Sequence, residues 1–84
     1  MSYRPWLEKQ ALRQMGGLPT EALDLLARAI AGICEDPYDR LLSVAVSDDN
    51  PRERMAEYGD LGFVEFEVDE AAGLIRIYAL VWVG

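Results

Sequence analysis

The sequence contains no histidine and a single cysteine. The first absence removes the side chain that most often ligates transition metals and moves protons near neutral pH. The second excludes an intrachain disulfide. Cations are scarce as well, with eight Lys and Arg against fifteen Asp and Glu and a formal net charge of −7. So acidic a chain is poorly suited to nucleic acid or an anionic membrane, because both need a surplus of Lys and Arg. Long apolar runs are missing too. The nearly uncharged stretch at residues 77–84 falls far short of the ~20 residues that a bilayer-crossing helix needs. The N-terminus mixes charge with apolar residues and has no signal-type stretch. With Cys34 unpaired, the expectation is a cytoplasmic protein without membrane association, metal or other cofactor.

What remains is globular in composition. Of 84 residues, 51 % are hydrophobic and 27 % charged, too apolar for a disordered chain. One domain over residues 1–84 is expected, with the modest core that a chain of this size allows. Tyr3 and Pro5 suit an extended segment at residues 2–6, and Pro5, lacking an N–H, confines any strand there to an edge. Helical spacing of Leu7, Ala11, Leu12 and Met15 predicts a helix over residues 7–15, closed by Gly16 and Gly17 in the left-handed conformation. Pro19 suits the first turn of a second helix, with Glu21 and Asp24 near its positive end. Its apolar stripe is Leu23, Leu26, Ile30 and Ile33, widened by Ala22, Leu25 and Ala29, and Asp36-Pro37 stops it. Two helices so closely joined predict an antiparallel pair.

Beyond Pro37 the period becomes alternating. A strand is expected over residues 40–47, with Leu42, Val44 and Val46 on one face. A turn at Asp48-Asp49-Asn50-Pro51 follows, then a polar segment at residues 52–60. Val64, Phe66 and Val68 alternate with Phe63, Glu65 and Glu67, giving one buried face and one wet face. A hairpin loop at residues 69–73 leads to a strand over residues 74–83, apolar on both faces apart from Arg76 and therefore internal. The expected class is α+β: two N-terminal helices, after a possible short strand, on an antiparallel sheet of three to four strands.

These residues resemble the RelE/ParE superfamily of toxin–antitoxin toxins. The match runs through Tyr3, Ala11-Leu12, Leu18-Pro19, Leu23, Leu26 and Ile30, then Asp36-Pro37 and Gly59-Asp60. It continues in Phe63-Val64-Glu65-Phe66-Glu67-Val68-Asp69 and in Ile75-Arg76-Ile77-Tyr78-Ala79-Leu80. The resemblance implies a toxin held by an antitoxin protein, acting as a ribosome-dependent mRNA endonuclease or as a gyrase poison. It also exposes departures. Phe63 stands where the family carries an arginine, and Val81-Trp82-Val83-Gly84 stands where a Gly-Lys-Arg or Gly-His-Arg tail is usual. The family's catalytic residues do not carry over.

Metal-free RNA cleavage needs a base, an acid and cations against the developing phosphorane charge. Arg40, Arg52, Arg54 and Arg76 lie in the sheet half and are the candidates for a non-standard site, with Glu65 and Glu67 beside Arg76. The competing reading is a structural Arg76–Glu65 or Arg76–Glu67 cross-strand pair, favoured because carboxylates repel phosphate. Asp48-Asp49-Asn50 lacks the spacing of a calcium loop, and Cys34 reads as a packing residue without an activating neighbour. Tyr58, beside Gly59-Asp60, is expected either to stack on a base or an antitoxin side chain or to cover the sheet edge. Tyr78, Leu80 and Trp82, alternating on the last strand, form an apolar face that 84 residues hardly cover. That face is the candidate protein interface, for an antitoxin segment or a second copy of the chain. The expected mode is protein–protein contact, not binding to RNA or the ribosome. The alternatives are the arginine-site nuclease and a non-toxic interaction module.

Overall fold

A strand without a full set of N–H donors opens the chain. In the computed structural model, which describes residues 2–84, Pro5 lies in β1 (Arg4–Leu7), an edge strand as its chemistry requires. The N–H groups of Arg4 and Glu8 donate to the carbonyls of Gly73 and Ile77 at 3.0 and 2.9 Å. Alternation therefore turns the Pro5 nitrogen to the open side.

Two helices follow, α1 (Lys9–Gly16) and α2 (Thr20–Glu35). Gly16 and Gly17 close α1 without the expected left-handed residue. Gly17 has φ −94°, and the N–H groups of Gly17 and Leu18 donate to carbonyls three residues back. The last turn tightens instead of reversing hand. Pro19 stands just before α2, where its carbonyl accepts from Ala22 and Leu23.

The buried stripe of α2 keeps Leu26, Ile30 and Ile33 of the expected line and departs from it at Leu23. Ala22, Leu26, Ile33 and Cys34 are buried, Ile30 is half-buried, and Leu23 lies at the exposed rim. Small Ala22 and Ala29 let the helix settle on the sheet along that line. α1 packs chiefly on β5 and α2 chiefly on β3.

The remaining strands are β2 (Ser43–Ala45), β3 (Glu53–Tyr58), β4 (Gly62–Asp69) and β5 (Leu74–Trp82). They form a five-stranded sheet in the order β1-β5-β4-β3-β2. The class is α+β as expected, but the sheet has five strands and is mixed, since β1 runs parallel to β5. The extra strand is β3, read from the sequence as a polar segment. Its period is two: Arg54, Ala56 and Tyr58 point to the helices, while Glu53, Met55 and Glu57 point away.

β2 is shorter than expected because Asp39 turns the chain before it. The Asp39 carbonyl accepts from Leu42 and Ser43, and its carboxylate accepts from Leu41 at 2.9 Å. The inward residue is Ser43, and Leu42, Val44 and Val46 are exposed. β4 matches expectation, with Val64, Phe66 and Val68 fully buried. β5 is internal between β1 and β4, and with Ile75, Ile77 and Leu80 it completes a core lying between the helices and one face of the sheet. No described helix is long and apolar enough to cross a membrane.

Candidate functional site: the open face of the sheet

Because both helices lie on one side, the other face of the sheet has no covering layer. The register defines what it carries. Across the middle run Val44, Met55, Glu65 and Ala79; beside them run Glu53, Glu67, Arg76 and Trp6; beyond lie Glu57, Phe63 and Val81. Trp6 is 53 % exposed, Val44 54 % and Val81 42 %. Glu53 and Glu67 stand directly opposite one another.

A β-bulge in β5 decides which aromatic joins this face. Phe66 pairs with Ile77 but Glu65 pairs with Ala79, so Tyr78 is the extra residue. Residues on either side of it consequently change parity. The N–H of Leu80, past the end of β1, donates to the Gln14 side chain at 2.7 Å and ties α1 to the bulged strand.

The expected alternation of Tyr78, Leu80 and Trp82 on one face is therefore corrected. Leu80 is buried among the helices, and Trp82, half-buried on that same side, stacks on Tyr58. Tyr58 is 1 % exposed and packs in the core against Trp82. Only Tyr78 faces the open side, among carboxylates. Burial first, and then the charges of Glu65, Glu53 and Glu67, push its phenol above the ordinary value.

The four candidate arginines are not brought together. Arg54 is 7 % exposed on the helix side. Its Nε donates to Ser43 Oγ at 2.8 Å, its Nη1 to the Pro51 carbonyl at 3.0 Å and its Nη2 to the Ser43 carbonyl at 3.1 Å. The guanidinium also sits 5.3 Å from the centroid of the Tyr38 ring. Ser43 Oγ passes its own hydrogen to the Pro37 carbonyl at 2.7 Å. Each nitrogen of the Arg54 guanidinium thus makes one hydrogen bond, and together they hold β2 and the turn that follows it.

Arg76 lies on the opposite face. Its Nε and Nη2 donate to Asp69 Oδ2 at 3.2 and 3.1 Å, and its Nη1 is 3.7 Å from Glu8. The cross-strand pair expected with Glu65 or Glu67 is replaced by this diagonal one. The backbone N–H of Ala72 first, and then Arg76, hold the Asp69 carboxyl below its ordinary value. Arg52 is exposed and 3.4 Å from Glu70. Arg40 is exposed beside a shallow groove of about 300 Å³ walled by Leu42, Val44 and Met55.

Cys34 is buried and free, its thiol raised by burial and by Glu35. Among the described residues, no group of three His, Cys, Asp or Glu is arranged to hold a metal ion. Sequence reasoning missed Glu53, Met55 and Glu57, although their strict alternation with Arg54, Ala56 and Tyr58 carried the signal.

No family model and no curated protein matches the sequence. Solved structures do. A chain of the RelBE2 toxin–antitoxin complex of Mycobacterium tuberculosis superposes with TM-score 0.81 at 14 % identity, over 98 % of this chain and 99 % of that one. The isolated RelE toxin of Escherichia coli gives 0.83 at 11 % identity, over 99 % and 86 %. A chain of the archaeal RelE–RelB complex of Pyrococcus horikoshii OT3 gives 0.75 at 22 % identity, over 100 % and 98 %. From β1 to β5, this chain has the fold of the RelE toxins.

Proposed function

We propose that this chain is a RelE-like member of a toxin–antitoxin type of pair, with an antitoxin protein as partner, and that it works by protein contact without cleaving RNA. The superposition over nearly the whole chain supports the first part, since two of the similar structures are complexes of toxin with antitoxin. The observation that carries the second part is the charge of the open face. Glu53, Glu57, Glu65 and Glu67 point there from β3 and β4, and the neighbouring Arg76 is engaged by Asp69 and Glu8. A phosphodiester meeting the carboxylates of β3 and β4 is repelled, and the one unpaired cation on this face among the described residues, Arg4, lies out on the edge strand β1, away from them. Arg54, the most firmly held cation in the sheet, faces the wrong way.

The test is expression of the chain alone and together with any small protein encoded next to it, followed through growth, co-purification and mapping of ribosome-bound message ends. The expected result is a stoichiometric complex and intact messages. Codon-specific cleavage that disappears in Arg76→Ala overturns the reading. Growth arrest with intact messages identifies a protein target.

A further inference from the structure

We propose that the open face of the sheet docks a cationic, partly apolar polypeptide segment of a partner protein, held by Glu53, Glu65 and Glu67 and by the exposed parts of Trp6, Tyr78 and Val81. The inference rests on the protein-contact reading above and adds the chemistry of the partner.

The first supporting observation is a like-charge pair without relief. Glu53 and Glu67 are directly opposite in register, with Glu65 two residues along on the same side. Such pairs repel. Among the described residues, none of the three makes an ion pair. The cation across the next strand, Arg76, is opposite Glu67 yet bonded to Asp69 and Glu8. A cost of this kind is removed when a partner supplies the cations.

The second observation is the apolar surface interleaved with those carboxylates. Trp6 and Val81 are exposed, Tyr78 is half-buried, and neither helix covers them. Tyr78 stands among the same glutamates, and burial first, then their charges, raise its phenol. An occupant must cover apolar area and bring positive charge. A second copy of the chain, at −7, sets carboxylate against carboxylate, and RNA sets phosphate against carboxylate. A segment carrying Lys or Arg among apolar residues meets both demands.

The probe is a synthetic peptide of alternating lysine and leucine, about ten residues long, titrated calorimetrically into the full chain. Two variants remove equal charge: Glu53→Gln/Glu67→Gln on the face, and Asp24→Asn/Glu35→Gln on exposed positions of α2. The expected result is saturable, salt-sensitive binding, weakened about tenfold by the face variant and by less than about twofold by the helix variant. The face variant melts no lower than the parent, because it loses a repulsive pair, so unfolding does not explain its loss. Equal loss in both variants, or no saturable binding to the parent chain, overturns the proposal. So does a single-stranded oligouridylate that binds the parent and competes with the peptide. A partner protein that binds the parent and the face variant equally keeps the protein-contact reading and overturns this one. Message cleavage alongside intact peptide binding does the reverse.

Discussion

The rings of Tyr58 and Trp82 stack with their centroids 5.7 Å apart and their planes at 21°. They meet over Gly62, which pairs with Tyr58 on one side and with Trp82 on the other. A Cβ at Gly62 would lie 2.7 Å from the Tyr58 ring and from its carbonyl oxygen. The glycine leaves the space that the rings close. Gly62→Ala should therefore destabilise by about 1–3 kcal/mol in urea unfolding, through displaced rings and backbone. No loss would mean that the strands part without strain.

The hydroxyl of Tyr58 is buried with no hydrogen-bond partner. Phenylalanine keeps the ring and its stack and removes the unsatisfied group. Tyr58→Phe is expected to be neutral or to stabilise by up to about 1 kcal/mol. A clear loss on thermal melting would reveal a partner for the oxygen.

Arg54 and Arg40 separate structure from surface. Removing the Arg54 side chain leaves the buried Ser43 acceptors unsatisfied, so Arg54→Ala should cost about 1–3 kcal/mol. Arg40→Ala, at an exposed turn, should stay within about 0.5 kcal/mol. Equal effects in chemical denaturation would contradict the network described for Arg54.

The stripe of α2 makes a graded prediction. Leu26 is 2 % exposed and Leu23 36 %. Leu26→Ala should lose about 2–5 kcal/mol through transfer and cavity, and Leu23→Ala much less. Equal losses would restore the stripe read from the sequence.

The pH dependence follows from opposite shifts. Burial raises the phenols of Tyr38, Tyr58 and Tyr78 and the thiol of Cys34. A raised acid holds its proton longer in the folded chain than in the unfolded one, so its contribution is complete below the unfolded value and is lost as pH climbs through the folded one. Asp69 is lowered; its contribution is present above the ordinary carboxylate range and is lost as pH falls through the folded value. Stability should hold across neutral pH and decline on both the alkaline and the acid side. Urea midpoints across pH, with tyrosinate absorbance followed in parallel, check this. Glu53→Gln/Glu67→Gln should bring the Tyr78 titration back toward its ordinary value.

The sequence made some elements legible and hid others for identifiable reasons. In β4 the inward positions are Val64, Phe66 and Val68, so period and hydrophobicity agree. In β3 the inward positions include Arg54, whose polarity masks an equally regular alternation. The short β2 conceals a buried Ser43 among exposed valines, because the apolar residues there are not the core residues. Pro5 announced an edge, but a parallel pairing with a strand some seventy residues away leaves no local trace. The bulge at Tyr78 is also silent in the sequence. Without it, Tyr78, Leu80 and Trp82 read as one surface, and with it the candidate interface moves to the glutamates of β3 and β4.

Both borders of the sheet are blunted. At one border Pro5 offers no N–H. At the other, the Ser43 carbonyl accepts from Arg54 and the Ser43 N–H donates to Asp39. Neither border presents a continuous row of free groups on which a foreign strand could template itself. Copies of the chain are therefore not primed to polymerise into ribbons, even with Leu41, Val44 and Val46 exposed nearby. The arginine that secures β2 from the helix side also closes part of that strand's outer border.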